Sequence, residues 1–297
     1  MDGPLSAEQI EAFHRDGFLV YPGFYSEEEA LALRNEMMRL VSEEFTGDHR
    51  SVFSTSEQER KADEYFLSSG DKIRFFWEEK AFAKDGKLVQ DKENSVNKVG
   101  HALHDLNPVF EDFSYKPRLG KALCQLGMKE PVGLQSMYIF KQPKIGGKVD
   151  IHQDSTFLYT EPTSCIGLWF AVDDATVENG CLYADPGSHK GALGEIKRRF
   201  VRTADNTTTE FRPPTPTQYD IDSCSAKVEC KRGTLVFIHG SVVHMSYENH
   251  SDKPRHAYNL HCIDGATVYP KDNWLQRGEG LPFRSMLTKQ PIKLQQD

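Results

Sequence analysis

Three His-x-Asp pairs stand in this sequence of 297 residues, and one of them has the surroundings to grip a metal ion. His152-Gln153-Asp154 follows the turn Gly146-Gly147 and a short strand-like run, and on a strand residues i and i+2 share a face. An imidazole and a carboxylate would then point the same way. His14-Arg15-Asp16 closes an amphipathic helix, where such residues diverge by about 200°, and His250-Ser251-Asp252 is a polar turn before Pro254. A third ligand is offered by His244, 92 residues downstream in Val242-Val243-His244-Met245-Ser246. Two histidines and one carboxylate with further positions open match the facial triad of non-haem Fe(II) oxygenases. Arg255 follows His244 by 11 residues, at the start of the last long strand. A 2-oxoglutarate cosubstrate chelates iron through its keto acid end, and its far carboxylate calls for a guanidinium. Ser246 shares a strand face with His244, so its hydroxyl could join Arg255 there. The same metal donors would suit a zinc hydrolase, which however has no need of Arg255. A non-catalytic 2-oxoglutarate-binding protein is the other alternative.

Those side chains need strands to hold them, and the chain supplies strands from about residue 132 onward. Leu134 to Lys141, Cys165 to Val172, Cys181 to Asp185, Ala226 to Cys230, Thr234 to His239, Val242 to Met245 and His256 to Ile263 are short and rich in branched or aromatic residues. Turn signals such as Asp173-Asp174, Asn179-Gly180, Pro186-Gly187 and Lys253-Pro254 separate them. Such spacing predicts an antiparallel sandwich or jelly roll. The chain up to about residue 130 reads helical. Ser6 to Gln9 and Ser26 to Glu29 have capping-box spacing ahead of apolar residues at helical period, and Pro108 to Leu126 predicts a further helix. A short strand, Gly17 to Phe24, lies between the first two helices. The expected fold is therefore α+β, one domain over 1–297 with N-terminal helices packed on one sheet of a jelly-roll core at about 131–265. Residues 190 to 225 contain Thr207-Thr208-Thr209 and Pro213-Pro214, show no period, and predict a long inserted loop.

Composition narrows the partners. With 36 basic and 44 acidic side chains the net charge is −8, which disfavours nucleic acid and anionic membranes as partners. Hydrophobic residues at 38% and charged residues at 27% describe a well-cored chain with an ordinary surface, not a disordered one. The longest apolar run, Cys165 to Val172, falls far short of the ~18 residues that cross a bilayer. Met1-Asp2-Gly3-Pro4 is no secretory signal and Gln295-Gln296-Asp297 no peroxisomal address, so the expected compartment is the cytoplasm. Sequons at Asn206 and Asn249 would then stay bare. Cys124, Cys165, Cys181, Cys224, Cys230 and Cys262 form no Cys-x-x-Cys pair and read as reduced. Nothing here speaks to oligomeric state.

Several strings carry a family likeness: Asp16-Gly17-Phe18-Leu19-Val20, the run Tyr65 to Phe76, Ser136 to Pro143, Glu178-Asn179-Gly180-Cys181-Leu182 and Pro186-Gly187-Ser188-His189. On these the chain resembles the phytanoyl-CoA dioxygenase family from about residue 6 to 285. The resemblance implies an Fe(II)- and 2-oxoglutarate-dependent dioxygenase on a double-stranded β-helix, the cupin-like jelly roll. It places the iron ligands on His152, Asp154 and His244. It places cosubstrate contacts on Lys98, Met137, Gln153 (mainly through the backbone), Trp169, Ser246 and Arg255. A small organic substrate and O₂ are the implied partners, succinate and CO₂ the coproducts, and ascorbate the reductant in vitro. Tyr65, Phe66, Arg74, Phe75 and Phe76 suggest a wall for an apolar substrate with an anionic head, with Lys197-Arg198-Arg199 and Arg202 as an alternative anion site. His101 and His104, close to Lys98, are further candidates to line the site.

Overall fold

The computed structural model describes residues 3–52 and 64–297. Met1 and Asp2, part of the start read as lacking a signal, lie outside the described residues. The first elements form as their caps dictate. Ser6 Oγ accepts the Gln9 amide while Gln9 Oε1 accepts the Ser6 amide, and α1 (Ala7–Asp16) ends at Gly17, whose φ of 82° only glycine adopts easily. Strand β1 (Phe18–Tyr21) follows, then α2 (Glu27–Glu43) behind a second capping box at Ser26 and Glu29. Ala30, Leu33, Met37, Leu40 and Val41 are its buried stripe. A short α3 (Glu64–Leu67) leads to β2 (Ile73–Trp77) and β3 (Val96–His101), and α4 (Leu103–Leu106) leads to α5 (Pro108–Ser114) and α6 (Pro117–Gln125).

Two expectations change in this part. The single helix over Pro108 to Leu126 is two helices, because Lys116 before Pro117 is extended and the proline ring opens a new first turn. The N-terminal part also contributes two sheet strands, β2 and β3, which the helical reading missed. Their aromatic residues Phe75, Phe76 and Trp77 are buried in succession, so no alternation marks them as a strand in the sequence.

The core strands then come in order: β4 (Pro131–Ile139), β5 (Val149–His152), β6 (Ile166–Ala171), β7 (Leu182–Ala184), β8 (Arg199–Arg202), β9 (Thr209–Arg212), β10 (Ala226–Val228), β11 (Leu235–His239), β12 (His244–Ser246), β13 (Ala257–Asp264) and β14 (Arg284–Ser285). One eight-stranded antiparallel sheet runs β1-β11-β6-β13-β4-β3-β2 with β14 beside β4, and a four-stranded sheet runs β10-β7-β12-β5. Together they make the double-stranded β-helix. Period two gives each strand of the large sheet two faces. Leu168, Phe170, Tyr258 and Leu260 pack with Leu33, Met37, Phe110 and Phe113 of the helices. Trp169, Val236 and Ile238 turn the other way, toward Leu182, Val228 and Met245 of the small sheet.

The insert expected as a loop holds the hairpin β8–β9, with Phe200 opposite Phe211 in register. Strands of four residues with mixed burial are too short to show a period. The arginines of the basic run are taken up in anchoring this hairpin. Arg198 donates to the carbonyls of Pro213 and Pro214, Arg199 pairs with Asp272, and Arg202 donates to the carbonyls of Trp274 and Leu67. Among the described residues no helix is long and apolar enough to cross a membrane, and all six cysteines are free.

Histidines buried neutral in this core, His256 and His104 among them, give folding a pH dependence. Burial pushes His256 down to about 3, against the pull of Asp173, and His104 down to about 4, against the pull of Asp105. Unfolded rings take up protons below their ordinary 6.5, and the folded rings cannot until the pH nears their own values. Stability is therefore complete above pH 6.5 and falls as pH drops, by up to about 1.4 kcal/mol per ring per pH unit. The urea midpoint of metal-free protein should decline from pH 7 to pH 5, and less steeply in His256→Gln. A midpoint that holds level over that range contradicts the assignment.

Candidate active site

The small sheet brings the two distant histidines together. His152 ends β5, and its register partner on β12 is His244, with ring centroids 4.3 Å apart. His152 Nδ1 lies 2.7 Å from the Asp150 carbonyl, and His244 Nδ1 lies 3.0 Å from that of Val242. A carbonyl only accepts, so both Nδ1 atoms carry the proton and both Nε2 lone pairs are available. These two nitrogens stand 3.4 and 3.7 Å from Asp154 Oδ1. The three ligand atoms all lie within 4.8 Å of one another, a set that could hold a metal ion.

Asp154 does not sit on a strand, as its spacing from His152 suggests. Gln153 is still extended, and Asp154 opens a 3-10 turn, Asp154–Thr156. The turn is fixed by Ser155 donating its amide to the Gly240 carbonyl at 2.9 Å. A Cβ at Gly240 would stand 2.3 Å from Ser155 Oγ, so the approach requires glycine. Across the cavity a Cβ at Gly167 would meet Asp154 Oδ2 at 3.0 Å.

A fourth side chain, missed in the sequence, completes the surroundings of Asp154. His261 on β13 places Nε2 3.3 Å from Asp154 Oδ2. Alternation with Asn259 assigns His261 a strand face, but only the closed sheet shows that this face meets Asp154. Burial alone would raise the Asp154 carboxyl. The imidazoles of His261 and His244 beside it, with hydrogen bonds from His152 and His261, hold it well below the usual carboxylate range. His244 is pushed down to about 4 by burial and by His152 beside it.

The other expected residues fall in three places. Arg255, Ser246 and Trp169 line the same cavity of about 210 Å³ as the triad. Arg255 is 1% exposed, donates Nε to the Gly180 carbonyl at 3.1 Å and lies 5.4 Å from the Trp169 ring. Its Nη1 and the Ser246 hydroxyl are buried with no hydrogen-bond partner among the described residues. Burial lowers the guanidinium to about 10, so it keeps its charge at neutral pH. Lys98, Met137 and His101 line a second region of the wall. Lys98 Nζ lies 3.4 Å from His101 Nε2 and 3.9 Å from Met137 Sδ, between the rings of Phe66 and Phe76. Gln153 is turned away from the cavity. Its side chain accepts from the Tyr219 hydroxyl and donates to the carbonyls of Leu193 and Ser241, which leaves only its backbone near the triad.

Of the proposed substrate wall, Phe66 and Phe76 line the cavity. Tyr65, Arg74 and Phe75 line a separate surface cleft, where the Arg74 guanidinium covers the Tyr65 ring at 4.1 Å. His104 is not on the wall, being buried beside Asp105 and Arg277.

A jelly roll enclosing two imidazoles and one carboxylate in an apolar cavity is the architecture of the Fe(II)/2-oxoglutarate dioxygenases, and the donor set fits Fe(II). Known proteins agree with that class. The family model described as Phytanoyl-CoA dioxygenase (PhyH) matches residues 13–257. A Phytanoyl-CoA dioxygenase of Arabidopsis thaliana is 49% identical over 278 residues, covering 93% of this chain and 95% of the relative. A phytanoyl-CoA dioxygenase domain-containing protein 1 of Bos taurus is 44% identical, covering 96% of this chain and 99% of the relative. The chain belongs to the phytanoyl-CoA dioxygenase family and is an oxidoreductase.

Solved structures share the fold at lower identity. EctD from S. alaskensis, solved with 2-oxoglutarate and 5-hydroxyectoine, superposes with a TM-score of 0.64 at 18% identity, covering all of this chain and 88% of that one. SnoK, a non-heme alpha ketoglutarate dependent carbocyclase from nogalamycin biosynthesis, gives 0.62 at 19% identity, covering 94% and 96%.

His261 supports the outer oxygen of Asp154, so its loss should tell on any cation held by the triad. His261→Phe should weaken Mn(II) binding roughly 10–100-fold, read by titration of the free-ion electron paramagnetic resonance signal. Unchanged affinity would remove His261 from the support of Asp154.

Proposed function

We propose that the protein couples oxidative decarboxylation of 2-oxoglutarate, giving succinate and CO₂, to oxidation of a C–H bond in a small organic substrate. The observation that carries this reading is the pair of buried donors, Arg255 Nη1 and Ser246 Oγ, unpartnered among the described residues, in the cavity that holds the triad. A buried guanidinium with no acid beside it among the described residues is costly, and an incoming carboxylate removes that cost. A zinc hydrolase has no use for it.

His152, Asp154 and His244 would hold Fe(II), which with bound 2-oxoglutarate supplies the power to activate O₂ and attack an unactivated C–H bond. The chain's own residues set the stage. The Asp150 and Val242 carbonyls lock both imidazoles with Nε2 presented. The Asp154 carboxyl is kept ionised by its histidine neighbours, so it needs to lose no proton on meeting a cation. Arg255 and Ser246 would take the far carboxylate of the cosubstrate, with Trp169 as the apolar flank of its chain. Met137, Lys98 and the backbone at Gln153 complete the proposed cosubstrate contacts. Phe157, Phe200 and Trp274 add apolar surface to the remaining wall. The cytoplasm is the compartment that suits six free cysteines.

Purified protein with Fe(II), ascorbate and 2-oxoglutarate should release succinate above a His152→Ala control. No release over that control, with or without a metabolite mixture, would sink the proposal. Arg255→Ala should weaken 2-oxoglutarate binding by about 3–5 kcal/mol, measured by calorimetry on Mn(II)-loaded protein, while Mn(II) affinity stays near wild type. Undiminished 2-oxoglutarate affinity would take Arg255 out of the site.

A further inference from the structure

One buried lysine outside the metal and cosubstrate sets ties together the ends of β4, β5, β12 and β13. Lys141 lies two residues past β4, is 2% exposed and forms part of the cavity wall. Its Nζ donates to the carbonyl of Gly147, ahead of β5, at 2.7 Å and to that of Tyr247, just after β12, at 2.6 Å. Its own carbonyl accepts the Arg255 amide, ahead of β13, at 3.2 Å and the Asn249 side-chain amide at 2.9 Å. Both Nζ bonds are donated by N–H, so they hold for an amine as for an ammonium.

The backbone at this lysine is unusual. Its φ is 39°, in the left-handed region that a residue with a Cβ rarely enters, and such a conformation persists only where its surroundings enforce it. The side chain supplies that enforcement, because its tip is fixed on two carbonyls from separate segments. With the backbone so turned, the Lys141 carbonyl meets Arg255. The stem acts on the other end of the same arginine. A Cβ at Gly180 would stand 2.7 Å from Lys141 Cδ and Cε, so the stem packs directly on Gly180, whose carbonyl accepts Arg255 Nε at 3.1 Å. Arg255 is thus held at its amide and at its Nε by groups that Lys141 fixes, while Nη1 keeps its donors unspent among the described residues.

Resting on the reading of Arg255 as the seat of the cosubstrate's far carboxylate, we propose that Lys141 is a positioning residue for 2-oxoglutarate. Its bonds to Gly147 and Tyr247 hold the turn that sets Arg255, and so favour a keto acid with a second carboxylate over one without. His152 and His244 keep their own locks on the Asp150 and Val242 carbonyls, so Lys141 acts on the choice of cosubstrate and not on metal affinity.

The test uses intact protein loaded with Mn(II) and titrated by calorimetry with 2-oxoglutarate and with 2-oxopentanoate, the same keto acid with a methyl group in place of the far carboxylate. Wild-type protein should prefer 2-oxoglutarate. Lys141→Met keeps the length of the stem and removes the donors, so 2-oxoglutarate affinity should fall about tenfold while the affinities for 2-oxopentanoate and Mn(II) stay within about twofold. Asn249→Ala frees the same Lys141 carbonyl from its other side and should lower the preference in the same direction, which decides the matter where Lys141→Met does not fold. A merely structural role would weaken both keto acids alike. Equal losses for the two acids, an undiminished preference in folded Lys141→Met, a loss of Mn(II) affinity, or failure of both variants to fold each overturn the proposal. Wild-type protein that binds neither acid, or both equally, overturns the reading of Arg255 and the role of Lys141 with it. A wild-type preference that survives Lys141→Met overturns the role of Lys141 alone.

Discussion

The cavity is organised around one buried carboxylate. Asp154 is 7% exposed and faces three imidazoles, with Oδ1 toward His152 and His244 and Oδ2 toward His261. A lone carboxylate in such a place would be driven to take up a proton. The histidines oppose that, and each of them comes from a different strand: β5, β12 and β13. The two sheets must therefore close on one another before Asp154 has its partners. The fold and the electrostatics of the site are one requirement.

The large sheet serves two environments through the period of its strands. Leu168 and Phe170 of β6 point into the helices, while Gly167 and Trp169, alternating with them, face the cavity. A one-residue slip of β6 would put Leu168 against Asp154 and Trp169 under α2. Register against β13 and β11, set by continuous antiparallel pairing, prevents that. Gly167 is small for a reason on the same face, since any larger side chain there would press on Asp154 Oδ2.

The hairpin β8–β9 closes the cavity by a different device. Its aromatic residues face inward, with Phe200 against Phe157 and Phe211, and its arginines grip backbone carbonyls and Asp272 of the C-terminal part of the chain. Arginines that a sequence presents as part of a surface run here anchor the hairpin. The guanidinium is suited to this work, because its several donors can meet carbonyls from more than one segment.

By itself the sequence determined part of the local structure and pointed to the residues proposed as metal and cosubstrate donors. Capping boxes at Ser6 and Ser26 fixed two helices, β-rich segments between turn signals gave the core strands to within about three residues, and His152, Asp154, His244 and Arg255 stood out by type and spacing. Those features are short-range, since each depends on a few neighbouring residues. Tertiary structure alone decided the rest. Strands β2 and β3, buried with no alternation, became visible only as partners of β4. Asp154 left the strand for a 3-10 turn because Gly240 lay close enough to hold Ser155. His261 and Gly167 acquired meaning only when pairing set them side by side, far apart in the chain yet adjacent in register. Which face of a strand meets a cavity depends on what packs against it, and that information is spread over the whole chain.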